Sequence, residues 1–237
     1  MDRPQPTWRV QVVEETGSTN TDLLEAGAAG APHGTVLRAL HQTAGRGRLD
    51  RRWEAPPGAN LLVSILFRQG VEHPHRLTQR VAVAAAMACE RVASVTPGIK
   101  WPNDLLLGSG KLAGMLSQAG GRSGRVEYVV VGIGVNVGWA PPGATRLPDG
   151  VDAGALLTAM LAALDELGDA HDDEYRRRLL TLGQRVRVER HADSVTGTAV
   201  DVLGDGRLVV RPDGSSDGAG DVFIDTGDVI HLRPDTD

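Results

Sequence analysis

The sequence predicts an α+β protein: a mixed or antiparallel sheet with helices packed on it, followed by a small C-terminal β-barrel. Three observations carry this. Short β-rich runs recur between residues 9 and 131, with capped or Ala-rich helical segments set among them. The runs after residue 99 are separated by Gly-Ser-Gly and Gly-Gly-Arg-Ser-Gly, tight turn sequences that suit antiparallel hairpins. Beyond Gly183, five short Val-rich runs follow one another through Gly and Asp turns with no helical period.

Taken in order, residues 9–14 alternate like a strand, and Thr16-Gly-Ser-Thr-Asn opens a helix to about Ala29, with Thr19 and Asp22 spaced as a capping box. Residues 35–40 are a second strand that runs into an arginine-rich loop, and the apolar run 61–68 brackets that loop on its far side. Residues 78–95 are Ala-rich and apolar on most sides, as in a helix buried against a sheet. Strands are expected at 99–101, 104–107, 111–119 and 126–131, and helices at 151–167 and 172–182. The last strands fall at 185–190, 195–203, 207–210, 221–224 and 229–233. A boundary near residues 182–184 divides the chain into domains 1–182 and 183–237.

Composition narrows the class. At 41 % hydrophobic residues but only 3 % aromatic, the core has to be built from Val, Leu, Ile and Ala, and disorder is excluded. The single cysteine, Cys89, has no partner for an internal disulfide, which fits a reducing cytoplasm, and its apolar surroundings point to packing. Residues 1–8 contain two prolines and no apolar core of a signal peptide. No run approaches the ~20 apolar residues that span a bilayer. A formal net charge of −5 argues against general nucleic-acid affinity.

Against that acidic background, residues 42–53 carry four arginines and one aspartate, a local charge of +3. Two glycines allow close backbone approach to an anion, the arginines supply forked donors, and Trp53 adds a flat face. This reads as a mobile loop that closes over a phosphorylated ligand. Ser18-Thr19-Asn20 either caps the first helix or reads the edge of a polar ring. Lys100-Trp101-Pro102-Asn103-Asp104 gathers a cation, an amide and a carboxylate at one turn. Lys111, in Gly110-Lys111-Leu112-Ala113-Gly114, either snorkels at a sheet end or faces a buried anion; the motif is no P-loop. Gly132-Ile-Gly-Val-Asn136-Val-Gly138 fails the dinucleotide fingerprint, yet its glycines admit something flat or bulky. The triplet Asp225-Thr226-Gly227 lacks the second carboxylate that aspartic-protease chemistry needs, and His73-Pro-His75 lacks companion zinc ligands.

The order of these motifs over residues 12–136 resembles the biotin protein ligases. Gly-Ser-Thr-Asn is followed by His-Gln-Thr-Ala-Gly-Arg-Gly-Arg and Arg-Arg-Trp, then by Lys-Trp-Pro-Asn-Asp, Lys-Leu-Ala-Gly and Gly-Ile-Gly-Val-Asn. The resemblance implies a catalytic domain related to class II aminoacyl-tRNA synthetases and, in size and strand pattern, a C-terminal SH3-like barrel. It also implies two-step acyl transfer. Biotin and ATP, with Mg²⁺, give biotinyl-5′-AMP, which passes its acyl group to a lysine of a biotin carboxyl carrier domain. Two departures stand out. Asp50 replaces the family's usual glycine, and no helix-turn-helix segment precedes the first strand.

By the same resemblance, Ser18, Thr19, Asn20, Gln42, Gly45 and Arg46 hold the biotin ring system, while Gly114, Gly132 and Gly134 leave it room. Lys111 bridges the biotin carboxylate and the α-phosphate. Arg46, Arg48 and Arg51 hold phosphates, Trp53 covers the adenine, Asn103 and Asn136 fix phosphate or ribose, and Asp104 receives the acceptor amine. Catalysis is thus assigned to Lys111, Arg48 and Asp104; the Mg²⁺ ligand is not legible. The expected partner is the carrier domain, with no nucleic acid and no membrane, and an exposed sheet could pair a homodimer or dock the carrier. A lipoate–protein ligase shares the chemistry without a ureido ring, and a repressor would use the arginine loop on nucleic acid.

Overall fold

The computed structural model describes residues 8–49, 51–168, 171–190, 193–215, 220–225 and 227–232. Asp50, Thr226 and Arg233, each part of a sequence expectation above, lie outside them.

Strand β1 (Arg9–Thr16), helix α1 (Thr19–Ala28) and strand β2 (Thr35–Gln42) form a parallel β-α-β unit. Strands β3 (Leu61–Phe67), β4 (Gly98–Lys100), β5 (Asp104–Leu107), β6 (Gly110–Arg122) and β7 (Arg125–Val135) complete a seven-stranded sheet in the order β1-β2-β3-β7-β6-β5-β4. Every neighbouring pair except β1–β2 is antiparallel, so the sheet is mixed, as expected. The β6–β7 hairpin turns through Ser123 and Gly124, at φ 52° and 76°. Two successive positive φ values match the right-handed twist of the strands and close them in two residues.

Helices cover both faces. On one side α1 lies over Leu37, Leu66, Tyr128 and Val130, with Leu23 pointing into them. On the other, α2 (Pro74–Ala93) and α3 (Ala153–Leu167) pack together over the central strands. The alanines at 82, 84, 85, 86 and 88 keep α2 narrow, so its backbone approaches β-sheet side chains closely. Pro74 sits in its first turn, where a missing N–H costs nothing, which is why α2 begins before the expected residue 78. Asp152 caps α3 by accepting the Ala155 N–H at 2.7 Å. Cys89 of α2 is fully buried, and burial pushes its thiol up to about 12. A thiol-disulfide reagent at pH 8 is therefore expected to leave the native protein unmodified and to titrate one thiol in denaturant; fast reaction of the folded protein would contradict this packing.

Two local expectations are corrected. The α1 capping box is absent: Ser18 is the N-cap without a side-chain bond, and the Asp22 carboxylate accepts from the Thr16 hydroxyl at 2.5 Å. Helix α4 (Asp172–Arg178) stops four residues short of residue 182. Leu179 bridges to Ile99, and the Leu180 N–H donates to the Ile99 carbonyl at 2.8 Å, so this segment lines the edge strand β4 instead.

Strands β8 (Arg185–Glu189), β9 (Ser194–Val202), β10 (Leu208–Pro212), β11 (Val222–Ile224) and β12 (Asp228–His231) form an antiparallel sheet in the order β11-β10-β9-β8-β12. Among the described residues β11 and β12 are the two edges of this sheet and do not pair with each other, so hydrogen bonds do not close it into a barrel. One apolar cluster continues from the large sheet, through Trp101 and Leu105, to Val186, Val188 and Leu208.

Candidate active site

The start of α1, the end of β2, the arginine loop, the β4–β5 turn and strands β6 and β7 converge on one cavity of about 530 Å³. The C-terminal sheet closes one side with Glu189 and residues 228–230.

Its floor is bare backbone. Gly114 and Gly134 face each other across β6 and β7. A side chain at Gly134 would start 2.3 Å from the Trp53 indole, and one at Gly132 would start 2.1 Å from Asn20 Oδ1. The space that the sequence expects beside Gly132 and Gly134 is thus taken here by the Asn20 and Trp53 side chains. The Trp53 ring lies on this floor, with Lys111 Nζ 5.8 Å from its centroid. Its Nε1 is buried without a hydrogen-bond partner among the described residues. A donor left unpaired there costs about 1–3 kcal/mol, which a ligand acceptor or an outward swing of the ring would recover.

Polar groups gather at one end. Ser18, freed from side-chain capping, lines the cavity beside Thr19, Asn20 and Gln42. The Thr19 N–H donates to Gln42 Oε1 at 2.8 Å. At the other end stand the charges. Lys111 Nζ lies 2.7 Å from Asp104 Oδ1, so Lys111 faces a carboxylate and does not merely snorkel. Arg48 donates to Asn103 Oδ1 at 3.2 Å and to the Gly227 carbonyl at 3.3 Å, tying the loop to both sheets. Burial holds the Arg48 guanidinium below its ordinary pKa, and the carboxylates of Asp228 and Asp104 act against that. Arg51 forms an ion pair with Asp228.

The loop folds on itself. Gly47 N–H donates to the Arg51 carbonyl at 2.7 Å and Trp53 N–H to the Gly45 carbonyl at 3.0 Å, with Arg46 bridged to Arg52. Gly45 is buried beneath this closure, where a Cβ would meet the Trp53 carbonyl at 2.4 Å. Of the expected site residues, Gly45 is thus the one the structure keeps off the cavity wall.

Residues 12–136 match the biotin/lipoate A/B protein ligase family, and residues 181–232 match the biotin protein ligase C-terminal domain. The chain belongs to the biotin/lipoate A/B protein ligase family. It is 40 % identical to the biotin–[acetyl-CoA-carboxylase] ligase of Mycobacterium tuberculosis, over 95 % of this chain and 90 % of that protein. It is 36 % identical to the ligase of the same name from Paracoccus denitrificans, over 69 % of this chain and 66 % of that one. In structure it resembles the Aquifex aeolicus biotin protein ligase solved with biotin and ATP, with a TM-score of 0.78 at 24 % identity, covering 95 % and 99 % of the two chains.

Two expected ligand contacts have other work. Asn136, almost fully buried, donates to the carbonyls of Lys111 (3.2 Å) and Thr145 (3.0 Å), so it holds the backbone that carries Lys111. Asn103 donates to the Met115 carbonyl at 2.7 Å, leaving its oxygen for Arg48. Several cavity residues escaped the sequence reading, among them the polar side chains Ser64, Glu189 and Asp228. Ser64 had a signal, a lone hydroxyl in the run Leu-Leu-Val-Ser-Ile-Leu-Phe. Glu189 and Asp228 had none, because only the fold brings them to the cavity.

Proposed function

We propose that the chain joins biotin to a specific lysine of a biotin carboxyl carrier domain, in two steps at this one cavity. The observation that carries the reading is the Lys111–Asp104 pair, set between a buried polar pocket and the arginine loop. In the first step a biotin carboxylate oxygen attacks the α-phosphorus of ATP and pyrophosphate leaves. Both reactants are anionic, and Lys111 lies where a cation between them offsets their repulsion. Arg46, Arg48 and Arg51 would take the phosphates, and Trp53 the adenine face. Mg²⁺ would enter on the nucleotide; no group of three or more His, Cys, Asp or Glu side chains suited to a metal occurs among the described residues.

In the second step the acceptor amine attacks the acyl carbon, AMP leaves, and the amine loses a proton. Asp104 is held by Lys111 in the ligand-free protein. Once Lys111 turns to the carboxylate and phosphate, Asp104 is released to orient the amine and accept that proton. The reading extends to a cytoplasmic enzyme, with 1–182 as catalytic domain and 183–237 as an SH3-like barrel. No described helix is long and apolar enough to cross a membrane. Curling of the C-terminal sheet supports the barrel. Ile224 and Asp228 are at most about 15 Å apart along the chain, whereas the edges of a flat five-stranded sheet are ~19 Å apart.

Incubation with biotin, ATP and a carrier domain should add one biotin to one lysine by mass spectrometry; an unmodified carrier would defeat the proposal. Asp228 offers a second check. Its carboxylate competes with phosphate for Arg51, in a pair with Arg51 largely exposed. Asp228→Asn should lower the KM for ATP up to about fivefold at low ionic strength, and added salt should erase the difference. A raised KM would show that Asp228 helps nucleotide binding.

A further inference from the structure

The side-chain amines of this chain are gathered in one place. Of its 25 lysine and arginine residues only two are lysine, Lys100 and Lys111, and both line the cavity. The rest are arginines, whose guanidinium stays protonated and does not attack an acyl group. Arg122 and Arg125, exposed on the β6–β7 hairpin, are of this kind.

The two lysines flank one carboxylate. Lys111 Nζ lies 2.7 Å from Asp104 Oδ1. Lys100 stands directly opposite Asp104 across β4 and β5. Residues opposed in this way have Cα atoms about 5 Å apart and project from the same face of the sheet. Here that face is the cavity wall, since both residues line it. The four-carbon stem of Lys100 can therefore bring its amine to the Asp104 carboxylate. Lys100 is half-buried and makes no ion pair among the described residues. Lys111 is committed to the reacting carboxylate and phosphate in the reading above, which leaves Asp104 to orient an amine and take its proton. Lys100 is the chain's own amine within reach of that position.

We propose that Lys100 is a self-acylation site, which takes the biotinyl group from the adenylate in the same cavity when no carrier domain is present. This rests on the biotin reading. The uncharged Nζ attacks the acyl carbon, the bond from that carbon to the phosphate oxygen breaks, and AMP leaves. The proton that the amine loses passes to Asp104. The product is an amide, more stable than the mixed anhydride it replaces, so the mark accumulates. A carrier lysine competes for the same acyl carbon and suppresses it.

The test is intact-mass measurement and peptide mapping of the protein after incubation with biotin and ATP and no carrier. One added biotinyl group, mapped to Lys100, is expected, and excess carrier domain should suppress it. Lys100→Arg keeps the charge and removes the nucleophile, so it should gain no label from ready-made biotinyl-5′-AMP. Arg122→Lys puts a new amine at the far end of β6, remote from Lys111 at its start. That variant should still carry its label on Lys100; equal labelling at both positions would mean capture of released adenylate and overturn the inference. An unlabelled Lys100 in a protein that biotinylates a carrier, or label on Lys111 or the α-amine in its place, overturns the inference alone. Labelling of neither the protein nor the carrier overturns the biotin reading beneath it.

Discussion

Lys111→Ala is expected to abolish adenylate formation while the protein stays folded. Lys111 is partly exposed and its side chain packs no core, so its removal costs little stability. Its chemical cost is large for two reasons. The cation that would bridge carboxylate and α-phosphate is gone, a loss of about 3–4 kcal/mol, or 10²–10³-fold in rate. Asp104 also remains, now unpaired and negative, at 2.7 Å from where the ammonium stood. Pyrophosphate release on mixing with biotin and ATP measures this directly. Biotinyl-5′-AMP supplied ready-made should still be used by the variant, since its carboxylate is already activated. Pyrophosphate release at the native rate would remove Lys111 from the mechanism, and a failure with both substrates would point to damage elsewhere in the cavity.

The second large effect is expected in Arg48→Gly, which should make the adenylate escape and label proteins indiscriminately. Arg48 ties the loop to the Asn103 side chain on one side and to the Gly227 carbonyl on the other. Each hydrogen bond from a charged donor contributes about 1.5–3 kcal/mol, so losing both, about 3–6 kcal/mol, shortens retention by ~10²- to 10⁴-fold. Glycine beside Gly47 also widens the backbone states of the open loop. A mixed acyl-phosphate anhydride in water reacts with any exposed amine, which is the harm a closed loop prevents. Streptavidin blots of a protein mixture lacking a carrier should therefore show many bands with the variant and few with the wild type. Equal patterns would mean that closure depends on other contacts, with Arg51–Asp228 the first to examine.

These effects depend on residues of unequal legibility. Glycines 114, 132 and 134, Lys111 and the arginine loop stood out in the sequence because their chemistry is local: a missing Cβ, a lone cation in an apolar strand, a cluster of forked donors. Strand β3 was legible for the same reason, as an apolar run bounded by turn residues. The lengths of β6 and β7 were understated, because Gly120 and Gly121 read as a turn and the expected strand ended before Gly132, whereas all of these and Gly134 sit inside paired strands. Helix α4 was overextended, since Leu179 and Leu180 fit a helix equally well until β4 offers them a pairing partner.

The sequence by itself determined the mixed α/β order, the family and the charged and glycine motifs that line the cavity, since each depends on neighbours within a few residues. Tertiary structure alone decided how those side chains spend their hydrogen bonds. It made Asn136, which lines the cavity, also a brace for the backbone of Lys111, and withdrew Gly45 beneath the loop. It also joined Ser64 to Thr19 and Asn20 across 45 and 44 positions, and Asp228 to Arg51 across 177. Hydrogen bonds and ion pairs act over a few ångströms in space, so partners distant along the chain become visible only when the fold brings them together.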